Sequence, residues 1–194
     1  MNRTMISVLL GTAMLGASTV AFSQSTIPAT TGSYSSADVG VAPIHGLDGP
    51  AFSAAASDAN QFQIAASRLS LTRSQRSDVK DYARRIISES QTSQQTLLAS
   101  LNNDRRKIAR PTTRLSAERA SMLKMLRSTP RASFDNLYLT QSAQVQQGNG
   151  AAYKGYAEDG VDRSLKQVAG SGVPIIEQQL QQGGALLPSA LSAN

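Results

Sequence analysis

The 194-residue sequence contains no cysteine, no tryptophan and a single histidine, His45. Without cysteine the chain forms neither a disulfide nor a thiolate nucleophile, so its fold must depend on packing alone. Hydrolase triads need a general base such as histidine. His45, however, lies in a stretch rich in glycine and proline, and a lone imidazole does not make a metal site. We therefore expect no catalytic residue and no enzymatic activity.

Carboxylates are also too few for the chemistry of helical metalloenzymes. A di-iron bundle needs glutamate on two helices and Glu-x-x-His on the other two, because the metal charge must be neutralised inside the core. The sequence has four glutamates, none followed three residues later by histidine: Glu89, Glu118, Glu158 and Glu177. We expect no metal and no other cofactor.

The first 23 residues have the layout of a secretory signal peptide. Arg3 gives a positive start, Met5 to Val20 form an apolar run, and Ala21 and Ser23 supply the small-x-small pattern that signal peptidase needs. We expect cleavage between Ser23 and Gln24 and a periplasmic or secreted protein. The alternative is an uncleaved membrane anchor, although the run is short for a full span. No later segment has the length and apolarity of a membrane span.

The remainder divides into a linker, a helical domain and a tail. Residues 24–50 are dominated by Ser, Thr, Gly, Ala and Pro and predict a disordered linker. Residues 51–187 show apolar side chains at alternating steps of three and four, the pattern of amphipathic helices. Residues 188–194 are interpreted as a tail.

Four long helical segments and one short one are predicted within residues 51–187, and no segment alternates with the period of a strand. We expect the second helix to begin at Ser77, the short helix to be capped by Ser116, and the third long helix to be capped by Ser133. The last helix should begin near Val161. Brief connections indicate an all-α, up-and-down four-helix bundle.

Glycine and proline predict irregularities in the last two helices. A glycine inside a helix costs about 1 kcal/mol relative to alanine, so Gly148, Gly150 and Gly155 predict a kink or a frayed segment. Gly170, Gly172 and Pro174 are expected to bend or split the last helix, and Gly183 and Gly184 to end it.

Four stretches of this pattern resemble a known family of exported bacterial proteins. They read ANQFQIAASRLSL, VKDYARRIISESQTSQQTLL, FDNLYLTQSAQVQQ and VPIIEQQL. In order and separation they are similar to the domain of unknown function 4142 family, whose members are in turn similar to ferritin-like four-helix bundles. The resemblance covers roughly residues 51–187. It implies an all-helical bundle outside the cytoplasm with no established activity.

The resemblance also implies polar, ligand-like residues inside the bundle. Family members often carry glutamate on the first helix and histidine on later ones; the matching positions here are Gln63, Ser90, Gln146 and Gln179. Divalent metals prefer carboxylate oxygen or imidazole nitrogen, so these replacements argue against a metal site. Two interpretations stay open for them, a seam of side chains that bond one another and a pocket for a small molecule.

A cluster of positive charge lies between the second and third long segments. Nine of the twenty-seven residues from 105 to 131 are basic, against one glutamate. We predict a polyanion-binding site centred on Arg105, Arg106, Lys107, Arg110 and Arg114. Outside the cytoplasm its partners would be anionic polymers or lipids of the envelope rather than nucleic acid. The alternative is a solvated connection whose charge aids solubility.

Three hypotheses for function follow. The first is a non-enzymatic envelope protein, a binding or stress-related helical module that acts through its surface. The second is a ferritin-like metal-binding protein or metal-dependent oxidoreductase, which the missing ligands disfavour. The third is a bundle whose polar seam holds a small molecule, which requires an open cavity at that seam.

Overall fold

A computed structural model of the chain describes residues 40–102 and 108–188. The predicted signal peptide, the tail after residue 188 and part of the predicted linker lie outside these residues. Five helices account for most of the described chain: α1 (Gly49–Arg73), α2 (Ser77–Ser100), α3 (Ala117–Ser128), α4 (Arg131–Asp159) and α5 (Arg163–Leu186). The described residues contain no strand. The prediction of an all-α bundle with four long helices and one short helix is confirmed.

The four long helices form a closed bundle in which α1 and α5 each pack between α2 and α4. Neighbouring helices are antiparallel. Phe52 at the start of α1 stacks on Tyr156 near the end of α4, with 4.3 Å between ring centroids. Ser67 near the end of α1 bonds Tyr138 near the start of α4. Consequently α2 and α4 run in the same direction, and the chain must return along the bundle between them.

Helix α3 lies within this long return connection and packs on α1 and α4. Arg73 at the end of α1 anchors it, because the guanidinium donates to the carbonyls of Leu126 and Thr129 at the end of α3. The same guanidinium lies 5.1 Å from the centre of the Phe134 ring. A cation at a helix C-terminus satisfies carbonyls that have no partner within the helix. The connection is therefore a packed element of the domain. The predicted brief connection is wrong here, and the parallel directions of α2 and α4 depart from the predicted up-and-down order because this long connection carries the chain back along the bundle.

Two apolar clusters fill the two ends of the bundle. One contains Phe62, Ile86, Leu126 and Phe134, and the other contains Phe52, Leu97, Tyr156 and Leu165. Burying a large apolar side chain contributes about 1.5–3 kcal/mol, so these clusters are the main source of stability. Buried polar side chains lie among these residues and form the candidate site described below.

Helix starts differ from the predictions at three places, and local capping explains each. Helix α1 begins at Gly49, before residue 51, because the Asp48 carboxylate accepts from the Ala51 amide at 2.7 Å and Pro50 suits the first turn. Helix α4 begins at Arg131, because the Ser133 amide already donates to the Pro130 carbonyl. Helix α5 begins at Arg163, where Asp162 is the cap. The predicted starts at Ser77 and after Ser116 are confirmed.

The predictions of a frayed segment in α4 and of a split in α5 are wrong, since both helices continue across their glycines. The glycines instead allow close contacts. A β-carbon on Gly155 would lie 1.8 Å from the carbonyl oxygen of Ile44, and one on Gly183 would lie 2.7 Å from the hydroxyl of Tyr82. Pro174 removes the helical hydrogen bond to the carbonyl of Gly170, which is exposed, so water can replace that bond.

Residues 40–48, which the sequence predicted to be part of a linker, pack on the bundle. The Ile44 amide donates to the Ala151 carbonyl at 2.9 Å, and the Gly46 amide donates to the Asp159 carboxylate at 2.8 Å. Val41 and Leu47 contact the apolar cluster that includes Phe52. Within the described residues, the packed domain therefore extends N-terminally of the predicted boundary at residue 51.

None of the helices in residues 40–102 and 108–188 combines the length and the apolarity that a membrane-spanning helix requires.

Replacing Gly155 tests the packing of residues 40–48. We expect Gly155→Ala to displace this segment, because the new methyl group would overlap the Ile44 carbonyl, and to destabilise the fold by about 1–3 kcal/mol. Hydrogen exchange at the Ile44 amide and thermal unfolding measure both effects. Gly148→Ala is the matched control: its nearest atom would be 4.0 Å away, so it should stabilise α4 by up to about 1 kcal/mol. Equal stabilisation by both substitutions would contradict the assignment.

Candidate functional site

A row of buried polar side chains crosses the interior of the bundle among the residues of the two apolar clusters. We call Gln63, Tyr82, Ser142, Gln146 and Gln179 the polar seam; each is at most 4% exposed. All four long helices contribute to it, with α1 supplying Gln63, α2 Tyr82, α5 Gln179 and α4 the other two. Buried polar groups need hydrogen-bond partners, and the seam supplies most of them internally.

Gln63 and Ser142 form a reciprocal pair between α1 and α4. The Gln63 side-chain amide donates to the Ser142 carbonyl at 2.9 Å, and the Ser142 hydroxyl donates to the Gln63 side-chain oxygen at 2.8 Å. The Tyr82 hydroxyl lies 3.4 Å from that of Ser142 and donates to the Gln179 carbonyl at 3.3 Å. Both the nitrogen and the oxygen of the Gln63 side chain are thus hydrogen-bonded to Ser142.

A second chain of hydrogen bonds leads from the seam toward the surface. The Gln146 amide donates to the side-chain oxygen of Gln179. The Gln179 amide in turn donates to the Glu89 carboxylate at 2.7 Å. Glu89 is partly exposed on α2. The seam therefore ends at one carboxylate that reaches solvent.

Three of the four positions that match the family's ligand-like residues meet at this seam: Gln63, Gln146 and Gln179. Ser90 is buried on α2 and forms none of the bonds just described. The donor set consists of neutral amides and hydroxyls already bonded to one another, which does not suit a divalent transition metal. In the described part of the chain, no three carboxylate or histidine side chains converge. These residues do not fit a metal centre of the ferritin-like kind.

Sequence reasoning missed Ser142, the Tyr82 hydroxyl and the link from Gln179 to Glu89. In the sequence, Ser142 looks like any small residue of an amphipathic helix, and Tyr82 falls at helical spacing with the apolar residues Val79 and Ile86 of α2. Ser57 was missed as well; its hydroxyl accepts from the Gln94 amide at 2.9 Å. The pairing of these residues across helices gives them their role, and one sequence carries no direct signal for such pairing.

The basic segment, residues 105–131, is partly described. Arg105, Arg106 and Lys107 lie outside the described residues. Arg110 and Arg114 are exposed, and the Arg110 guanidinium donates to the Asn102 side chain. Lys124, Arg127 and Arg131 are exposed as well.

Arg119 differs from the other cations of the basic segment because it is held inside a contact. Its side chain is 17% exposed, lies 3.2 Å from the Glu118 carboxylate and lies 3.9 Å from that of Asp58. Asp58 also accepts from the Ser116 amide at 2.8 Å. Arg119 therefore fastens the start of α3 to α1 and is not free to bind a partner.

One comparison with known proteins bears on this arrangement. The family model "Domain of unknown function (DUF4142)" matches residues 37–186. The chain belongs to this family. The match covers the five helices and the whole packed segment of residues 40–48, so the resemblance inferred from four stretches is confirmed. No curated protein and no solved structure matches this DUF4142 chain.

Burial raises the pKa values of three tyrosines inside the bundle. Loss of water raises the pKa of Tyr82 to about 12, and the hydrogen bond between Tyr82 and Ser142 opposes this only in part. Burial also raises the pKa of Tyr153 to about 12, against a smaller effect of its bond with Asn60. The pKa of Tyr138 is raised further, again by burial.

Stability of this DUF4142 domain should consequently fall in alkaline solution. A phenol whose pKa is raised on folding keeps its proton longer in the folded chain, so its stabilising contribution is complete below pH 10 and is lost as pH rises toward 12. Each buried phenol contributes a slope of up to about 1.4 kcal/mol per pH unit. Urea unfolding between pH 8 and pH 11.5 measures the slope. Tyr138→Phe should reduce it, and an unchanged slope in that variant would show that other groups cause the loss.

Proposed function

We propose that this chain is a non-enzymatic binding module of the cell envelope, exported by its N-terminal signal peptide, which contacts anionic polymers through the basic segment. The proposal rests on the exposure of the basic side chains in residues 108–131 and on how few of them form ion pairs. This stretch has six basic residues and one acidic residue. Within the described chain, its only ion pairs are those of Arg119.

The remaining cations of the described stretch lack carboxylate partners there. Arg114, Lys124, Arg127 and Arg131 are exposed, and no described carboxylate lies in ion-pair distance of any of them. Unpaired cations on one segment attract polyanions, and each contributes about 1 kcal/mol near an anionic membrane surface. The anchoring of α3 by Arg73 and Arg119 gives these cations a defined support, so a partner need not order the whole segment.

The bonded seam supports a surface role over an internal one. The side-chain amides of the seam already have hydrogen-bond partners within the protein. Its neutral donor set does not suit the metal on which the oxidoreductase alternative depends. A small molecule at the seam would have to break the reciprocal bonds of Gln63 and Ser142. We therefore expect the residues that bind a partner to lie on the outside of the bundle.

Retention on an anionic matrix tests the proposal. The variant replaces four cations with glutamine, namely Arg114, Lys124, Arg127 and Arg131. We expect it to elute at clearly lower salt than the parent while keeping its helical content and melting temperature, because none of the four side chains is buried. Binding by the parent should weaken between 0.1 M and 1 M salt, where the Debye length falls from about 10 Å to about 3 Å.

A second variant of equal charge separates a local site from overall charge. It replaces four exposed cations of α2 and α5 with glutamine: Arg84, Arg85, Arg163 and Lys166. This control should elute close to the parent. Equal losses of retention in both variants would mean that net charge alone causes binding, and the proposed site would be abandoned.

A further inference from the structure

A groove separates α2 from α5 on the side of the bundle where Glu89 reaches the surface. Its walls are formed by Ser88, Glu89, Thr92, Ser93 and Thr96 of α2 and by Val168, Ser171, Gly172 and Ile175 of α5, with Tyr153 of α4 at the floor. The groove has a volume of about 170 Å³. Drug-sized ligands occupy clefts of about 300–1,000 Å³, so this one suits a group of a few heavy atoms.

Gly172 has no side chain, so the Tyr153 ring can lie close to α5 and line the groove. A β-carbon on Gly172 would lie 2.3 Å from Cε1 of that ring. Tyr153 is itself 2% exposed and is fixed by an edge-to-face contact with Phe52, at 5.1 Å between centroids. The floor is therefore aromatic and rigid.

Two hydroxyls that line the groove have already donated their hydrogens to helix carbonyls. The Thr92 hydroxyl donates to the Ser88 carbonyl of its own helix at 3.0 Å, and the Ser171 hydroxyl donates to the Val168 carbonyl at 3.1 Å. A hydroxyl has one hydrogen and two lone pairs, so these two oxygens keep only lone pairs for a ligand. A ligand that bonds to these two oxygens must supply the hydrogens.

Glu89 is the one charged residue that lines the groove. Its carboxylate is oriented by the Gln179 amide, which is held in turn by Gln146. The ion pairs of residues 40–102 and 108–188 do not include Glu89. The neutral Gln179 amide orients the carboxylate without cancelling its charge. The negative charge therefore remains available to a cationic ligand, although the net charge of the chain is positive.

We propose that the groove between α2 and α5 binds a primary alkylammonium group, with Glu89 as its anionic partner. The ammonium supplies three hydrogens and a positive charge, which match the carboxylate and the lone pairs of Thr92 and Ser171. The aliphatic side chains of Val168 and Ile175 suit its alkyl chain. Such a group occurs in free amines and in the lysine side chains of polypeptides. The site shares no residue with the basic segment. Loss of polyanion binding would therefore not affect the binding of an ammonium group here, and the two proposals can be tested separately.

Titration of the full mature chain with n-butylammonium chloride, followed by amide NMR, tests the site. We expect saturable shifts confined to α2 residues 88–96 and α5 residues 168–175. Equal concentrations of n-butanol and sodium butyrate should leave these signals in place, because they lack the positive charge. A parallel titration with Nα-acetyl-lysine amide separates the two sources: tighter binding than butylammonium assigns the group to a polypeptide, and weaker binding assigns it to a free amine.

Glu89→Gln removes the charge while keeping an acceptor for the Gln179 amide. We expect it to weaken butylammonium binding by about tenfold or more, as loss of a charge-assisted hydrogen bond implies. Glu177→Gln is the matched control, since Glu177 lies on α5 outside the groove and pairs with Lys154 at 2.8 Å. It should bind like the parent. Shifts scattered over the surface, equal shifts with n-butanol, or undiminished binding by Glu89→Gln would overturn the proposal.

Discussion

The reciprocal hydrogen bonds of Gln63 and Ser142 set the register of α1 against α4, and the rest of the bundle follows from that register. Both residues are buried. A buried polar group left without a partner costs about 1–3 kcal/mol, so a slip of one helix along the other would break two bonds at once. Apolar packing alone tolerates such slips more readily, because it is not directional. The seam thus specifies one arrangement where the apolar clusters supply most of the stability.

The same seam links the interior to the surface of the bundle. Gln146 holds Gln179, and Gln179 orients Glu89 at the edge of the groove between α2 and α5. Gln63, Gln146 and Gln179, which the resemblance placed at ligand-like positions, therefore have bonded partners in this chain. They connect helices and position one carboxylate. The opposite chemistry lies in residues 108–131, where the exposed Arg114, Lys124, Arg127 and Arg131 have no described carboxylate within ion-pair distance.

Periodicity predicted the number of helices, their order and most of the core, because Phe52, Phe62, Ile86 and Leu97 repeat at helical spacing. It failed at glycines and prolines. Local propensity assigns Gly155 and Gly183 to breaks, whereas each lies where another part of the chain approaches α4 or α5 closely. The packing of residues 40–48 was missed for a similar reason, since it depends on the carbonyl of Ala151 and on the space at Gly155. Partners distant in sequence decide all these features, and local pattern does not encode them.

A double-mutant cycle at Gln63 and Ser142 tests the structural role of the seam most directly. The free energy of unfolding would be measured for the parent, Gln63→Leu, Ser142→Ala and the double variant. The account predicts that each single change destabilises the fold by about 1–3 kcal/mol, because it leaves a buried partner unsatisfied. The double change should cost at least 0.5 kcal/mol less than the sum, roughly the smallest coupling seen for residues in contact. Strict additivity, or stabilisation by either single change, would contradict the claim that this pair holds the bundle in register.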